Sequence, residues 1–252
     1  MKIKQIVFSP TGGTQKVVDI LTAGWGSAAE QVDLAAPQTD YDISFAQDDV
    51  AVIAAPSFSG RVPAHAAEKI AKLDGGGARC VLVCVYGNRA YEDTLAELQD
   101  IAEKSNFRVV AAVAAVAEHS IARQYAAGRP DAEDKTELTA FAEQIWQKIT
   151  AGFDAVPAIP GNRPYRKAGG GGLVPKADKN CTACCKCAEE CPTRAINRAD
   201  IKTADGDKCI SCMRCVAVCP ESARSVSKAM AAVVAAKLKK VCEVRKSCEL
   251  YL

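Results

Sequence analysis

Two copies of one cysteine pattern constrain this chain more than any other feature. In residues 181–192, CTACCKCAEECP, Cys181, Cys184, Cys187 and Cys191-Pro192 give C-x2-C-x2-C-x3-C-P. Cys209, Cys212, Cys215 and Cys219-Pro220 repeat it 28 residues later. Three thiols two residues apart wrap one corner of a compact inorganic centre, and the turn between them aims backbone amides at the sulfurs. The fourth cysteine sets off in a new direction at its proline and reaches the other centre. Cys185 falls inside the first loop but outside the pattern, which makes it the spare: a small packing residue or a thiol beside a centre.

Structural zinc sites use two C-x2-C pairs or add histidine, and neither histidine, His65 or His119, lies near the motifs. The repeat therefore points to two [4Fe–4S] clusters. The 13 cysteines are an odd number, which argues against a secreted disulfide framework, and the N-terminus has no signal-peptide apolar stretch. The expected compartment is the cytoplasm. No apolar run approaches the ~18 residues of a membrane span. Residues 1–152 hold 14 Lys+Arg against 20 Asp+Glu and residues 153–252 hold 18 against 10. The halves thus carry −6 and +8 and are expected to attract each other. The positive charges are scattered, with no run longer than Lys239-Lys240, so nucleic-acid binding is not expected.

Residues 1–151 alternate apolar runs (2–9, 29–34, 49–56, 79–87 and 108–118) with segments of helical spacing (14–24, 63–73, 90–105 and 131–150). Continuous apolar strands between helices predict a five-stranded, doubly wound parallel sheet covered on both faces. Residues 152–177, rich in glycine and proline, read as a linker, with the Gly169–Gly172 run its most flexible part. The repeat occupies residues 178–226. In residues 227–252, Met230, Val234, Leu238, Val241, Cys248 and Leu252 recur near helical spacing, which predicts an amphipathic helix packed back on one domain. Cys80 and Cys84 lie four apart in one strand and share a face of the sheet. They are read as core, as are Cys242 and Cys248.

The first strand ends in Ser9-Pro-Thr-Gly-Gly-Thr14 before a helix. Hydroxyls and free amides at a helix N-terminus suit a phosphate dianion, although Pro10 has no N–H to offer. The loop is neither a nucleotide-hydrolase P-loop nor a dinucleotide fingerprint. Two more loops, 56–63 and 86–93, follow the third and fourth strands, and ligands of open α/β sheets bind beyond strand C-termini. The loop holding His119 borders the same crevice.

The cysteine repeat resembles the bacterial two-cluster ferredoxins. That resemblance implies one cluster on Cys181, Cys184, Cys187 and Cys219 and a second on Cys209, Cys212, Cys215 and Cys191. Arg194 and Ser222 stand where the family usually has a small turn residue. Ser9, Thr11, Gly12 and Thr14, with Gly13 in a variable place, resemble the flavodoxin phosphate loop. This implies FMN, with Ser57, Phe58, Ser59 and Gly60 on one side of its ring and Tyr86, Gly87, Asn88, Arg89 and Tyr91 on the other. Arg61 and Arg89 put cations where flavodoxins commonly place acid. Together the chain resembles flavodoxin–ferredoxin fusions of anaerobic bacteria and archaea: a flavodoxin-like domain, a small α+β dicluster ferredoxin domain and a C-terminal helix. The implied function is electron transfer between the clusters and FMN, serving redox partner proteins. A ferredoxin-fed, FMN-dependent reductase of a small organic substrate and a redox sensor without flavin stay open beside it.

Overall fold

The computed structural model describes residues 1–26, 29–38, 41, 43–169 and 172–252. Five strands lie parallel: β1 (Ile3–Val7), β2 (Glu30–Asp33), β3 (Val50–Pro56), β4 (Arg79–Tyr86) and β5 (Arg108–Val116), side by side in the order β2-β1-β3-β4-β5. The switch point falls between β1 and β3, so the loops after these two strands open a crevice at the C-terminal edge of the sheet. Helices α1 (Gly13–Thr22), α2 (Ala64–Ile70), α3 (Thr94–Lys104) and α4 (Ala132–Thr150) connect and cover the strands. Side chains alternate between two cores. Ile53, Leu82, Cys80 and Cys84 point to the face that includes Leu95 and Leu98 of α3. Val52, Val81, Val83 and Val113 point to the face of α1 and α4. Trp25 and Trp146 stack on that second face with centroids 5.6 Å apart.

The linker does not cross open solvent. The Asp93 carboxylate, 1% exposed, accepts from the Asn162 backbone and side-chain amides (2.8 and 2.9 Å) and the Arg166 backbone amide (2.7 Å). Arg163 and Tyr165 both reach Asp100. The linker thereby lies along α3. Gly170 and Gly171 of the glycine run lie outside the described residues.

The cysteine-rich unit is small. β6 (Lys176–Ala177) pairs antiparallel with β7 (Arg224–Ser225), and two four-residue helices, α5 (Lys186–Glu189) and α6 (Arg214–Ala217), follow the two cysteine loops. Its compact centre is formed mainly by cysteines with Ala195, Ile196 and Ile201.

The C-terminal segment corrects the expected helix over 227–252. Helix α7 (Lys228–Cys242) stops at Cys242, and β8 (Glu249–Tyr251) adds antiparallel to β5, with Val113 opposite Leu250. The sheet therefore has six strands. The open edge of β5 supplies unpaired backbone groups that a strand satisfies and a helix cannot. Residues 249–251 also alternate: Leu250 packs on one core and Tyr251 on the other. Cys242 and Cys248 are both buried, as expected, but only the first is helical. Among the described residues no two cysteines are joined by a disulfide.

Candidate cofactor sites

The cysteine repeat is also a repeat of backbone conformation. Ala183, Cys185 and Arg194 have positive φ (56°, 62° and 52°). So do Ser211, Met213 and Ser222, their counterparts 28 residues on (53°, 63° and 50°). Left-handed residues fold each loop inward on its cysteines, as the left-handed region reverses the chain locally. Arg194 and Ser222 adopt the turn without being glycine. The amides of Ala195 and Ala223 each donate to a cysteine sulfur, Cys191 Sγ and Cys219 Sγ, at 3.3 Å. Cys185 takes the place that Met213 has in the second loop, at the N-cap of a short helix. It is partly packed into the small core and outside the repeated ligand positions.

The folding brings thiols from both motifs together. One small cavity is lined by Cys181, Cys184, Cys187 and, from the second motif, Cys219, with Cys185 at its wall. In the second group, burial pushes the Cys212 thiol up to about 12, and Cys215, Cys191 and Cys209 add to the rise as neighbouring charges. Cys191 of the first motif and Cys215 of the second are buried in one small core, with Cys209 packed against it. Two groups of four thiols, each with a backbone amide aimed at a ligand sulfur, fit a pair of thiolate-ligated clusters. Arg224 was not singled out from the sequence. It is 2% exposed, and its Nη1 donates to Cys187 Sγ at 3.4 Å.

A second cavity of about 800 Å³ opens at the C-terminal edge of the sheet. Thr11, Gly13 and Thr14 stand at its end by α1, and Gly12 turns the chain into that helix at φ 89°. The amides of Thr11, Gly13 and Thr14 have no protein acceptor among the described residues, so they remain available to an anion. Ser57, Phe58 and Ser59 form one side; Tyr86, Gly87 and Arg89 form another. Glycine is required at 87 because a Cβ there would come within 2.6 Å of the His119 ring. His119 also lines the cavity. Its Nδ1 accepts from the amides of Ile121 and Ala122, both at 3.1 Å. Burial, and to a lesser degree Arg89, lowers its pKa; because Nδ1 accepts, the neutral ring carries its proton on Nε2.

Five expected FMN residues have other positions. Ser9 does not line the cavity, and its Oγ accepts from the Gln15 amide in the first turn of α1 at 2.9 Å. Gly12 and Gly60 shape their loops without forming cavity wall. Asn88 is buried, donating to the carbonyls of Cys242 and Val244 (2.7 and 2.8 Å) and accepting from the Lys246 amide (3.1 Å). Tyr91 bonds Glu249 and Tyr251 of β8 at 2.8 and 2.7 Å. The C-terminal segment has recruited both residues. The cations have acid partners: Arg61 makes a two-pronged pair with Glu97 (2.7 Å for each bond), and Arg89 pairs at 2.9 Å with Glu92, a carboxylate it shares with Arg166.

The remaining walls come from the C-terminal half. Ser211 and Cys212 of the second cysteine loop line the cavity, as do Gly169 and Leu173 of the linker and Met230, Val233, Val234 and Leu238 of α7. Ile210 packs on the core of the first domain. Arginines of the basic half meet acids of the acidic half: Arg214 with Asp33 (3.1 Å), Arg163 with Asp100, and Arg245 with Asp131 (2.7 Å).

The fold and the thiol sites define a flavodoxin-like α/β domain joined to an iron–sulfur domain. Residues 203–225, which span the second motif, match the family of 4Fe–4S binding domains. Among solved structures, the chain is similar to rubredoxin:oxygen oxidoreductase from the anaerobe Desulfovibrio gigas (14% identity, TM-score 0.44), over 61% of this chain but only 37% of that protein's length. It is also similar to a flavodoxin of Streptococcus pneumoniae TIGR4 (19% identity, 59% of this chain and 99% of that one, TM-score 0.41). A third is the Fusobacterium nucleatum flavodoxin bound to flavin mononucleotide (16% identity, 60% and 96%, TM-score 0.38). No curated protein sequence matches the chain. Among the described residues no helix is long and apolar enough to cross a membrane.

Proposed function

We propose that this chain is an electron-transfer iron–sulfur flavoprotein that passes electrons between two [4Fe–4S] clusters and FMN, in the cytoplasm, on behalf of redox partner proteins. One observation carries this reading: Cys212, a ligand candidate of the second cluster, stands in the wall of the cavity that the Thr11–Thr14 turn and the Phe58 and Tyr86 loops enclose. Thiols and cavity share a boundary, so an electron has a short protein path between them.

When bound, the clusters supply one-electron steps and the flavin supplies one- or two-electron chemistry. The protein's residues divide the remaining work. The free amides of Thr11, Gly13 and Thr14 hold the phosphate dianion against the positive end of α1. Phe58 and Tyr86 offer apolar faces to a flat ring. Pairing of Arg61 with Glu97 keeps that cation from acting as an uncompensated charge at the site. The neutral His119 presents a donor at Nε2. Cys181, Cys184, Cys187 and Cys219 hold one cluster; Cys209, Cys212, Cys215 and Cys191 hold the other.

The test is the cofactor content of anaerobically purified protein reconstituted with iron, sulfide and FMN. The reading expects about eight iron and eight sulfide per chain and about one FMN, released by acid. Stoichiometric zinc without sulfide overturns the cluster reading, and no FMN after reconstitution overturns the flavin reading. A second reading, a ferredoxin-fed reductase of a small organic substrate, is favoured by the apolar α7 wall of Met230, Val233 and Leu238. Multi-turnover reduction of a soluble quinone by chemically reduced holoprotein selects it; only stoichiometric exchange selects the carrier.

A further inference from the structure

The two halves of the cysteine repeat are matched in their loop turns and in the Ala195 and Ala223 amides that donate to sulfur at 3.3 Å. They differ at the next residue. Ile196 follows Ala195, whereas Arg224 follows Ala223. Arg224 is 2% exposed. Its Nη1 donates to Cys187 Sγ (3.4 Å) and Ile201 O (2.7 Å), and its Nη2 donates to Thr203 O (2.9 Å) and Pro175 O (3.3 Å). Its Nε is buried without a partner. Among the described residues it has no carboxylate within salt-bridge distance. A buried guanidinium needs a counter-charge, and carbonyl dipoles supply only part of one. The thiolates beside it supply the rest: Arg224 bonds Cys187 of the first group directly, while Cys209 and Cys215 of the second feel its charge through space without a bond.

We infer that Arg224 places the cluster of Cys181, Cys184, Cys187 and Cys219 at the higher reduction potential, so that the first electron to enter the iron–sulfur domain settles there, on the side away from the large cavity. The inference rests on the two-cluster reading proposed above. A cluster becomes more negative when it accepts an electron, and a fixed cation in a low-dielectric surrounding stabilises the more negative form. Water acts in the same direction: Cys184 is exposed, while Cys191, Cys212 and Cys215 are all buried. In the internal step, one electron leaves the second cluster, which is oxidised, and reduces the first; no bond or proton moves. None of the first group's cysteines lines the large cavity, whereas Cys212 of the second does. The second cluster is therefore the relay and the first is the store, or the exit towards a partner.

The experiment uses full-length protein reconstituted with both clusters and reduced by one electron per chain with dithionite. NMR of the cysteine β-protons, assigned by residue, reads which cluster holds the electron. The expected result is reduced-state shifts at Cys181, Cys184, Cys187 and Cys219 in most molecules. Arg224→Met should move the electron's partition at least tenfold towards the second cluster, about 59 mV for a one-electron couple, and Arg224→Lys should keep most of the original bias. If Arg224→Met does not fold, the wild-type measurement still decides. Two full clusters with the electron on the second, or an unchanged partition in Arg224→Met, overturn the role of Arg224 alone. Wild-type protein that accepts one cluster overturns the two-cluster reading and this inference together.

Discussion

Asn88 shows how far a single side chain can depart from its expected role. It follows β4 at φ 64°, in the loop that borders the large cavity, yet its amide ties the chain just after α7 to the first domain. Asn88→Ala would leave two carbonyls and one amide without this partner. It should cost about 1–3 kcal/mol, read by urea unfolding, and should speed amide exchange at Lys246; unchanged exchange there would mean the tail is held by something else. His119 carries a pH dependence. Its folded-state pKa lies below the ordinary 6.5 because burial disfavours the charged ring. Below pH 6.5 the unfolded chain therefore binds a proton that the native chain does not. Stability contributed by neutral His119 is intact above pH 6.5 and is lost as pH falls towards the native pKa. A histidine NMR titration should place His119 below 6.5, and His119→Phe should flatten stability across that window. The loops around the cavity were legible in the sequence because strand ends and glycine turns mark them locally. The diversion of Asn88 and Tyr91 was not, because their partners lie more than 150 residues away.

At the scale of elements, β3, β4 and β5 were readable because they are buried on both faces and so are almost wholly apolar, whereas edge strand β2, EQVD with only Val32 buried, carries a weak signal. β8 was not readable, because three residues carry little pattern and the stripe through Cys248 and Leu252 also fits a helix. What decides is the edge of β5, a tertiary fact. Removal of residues 249–252 should expose that edge and release Tyr91. The expected outcomes are a lower unfolding temperature and concentration-dependent association on size exclusion, since open strand edges pair with one another. A truncated chain that stays monomeric at full stability would show that β8 contributes nothing. The cysteine loops lie at the opposite extreme. Their spacing marked eight thiols in advance, and the 28-residue offset reappears in six backbone torsions. Arg224 is not legible in the same way, because its sequence neighbours do not reveal that it is buried beside Cys187.

At the scale of the molecule, opposite charge on the two halves becomes a set of identifiable pairs, of which Arg214 with Asp33 is the one beside the second cysteine loop. Asp33→Arg should slow flavin-to-cluster transfer several-fold at low ionic strength, and the deficit should fade as salt screens it; an unchanged low-salt rate would remove this pair from docking. The course of the chain adds a stronger constraint than charge. Because β8 returns to the sheet that β1 begins, the iron–sulfur unit is an insertion within the first domain and not an appendage to it. It is anchored at both ends, by the linker along α3 and by α7 running back to β5. A single proteolytic nick in residues 155–160 would therefore leave both pieces bound together. A unit held at two points cannot swing out as a tethered shuttle does; under the proposed function, redox partners would have to come to it.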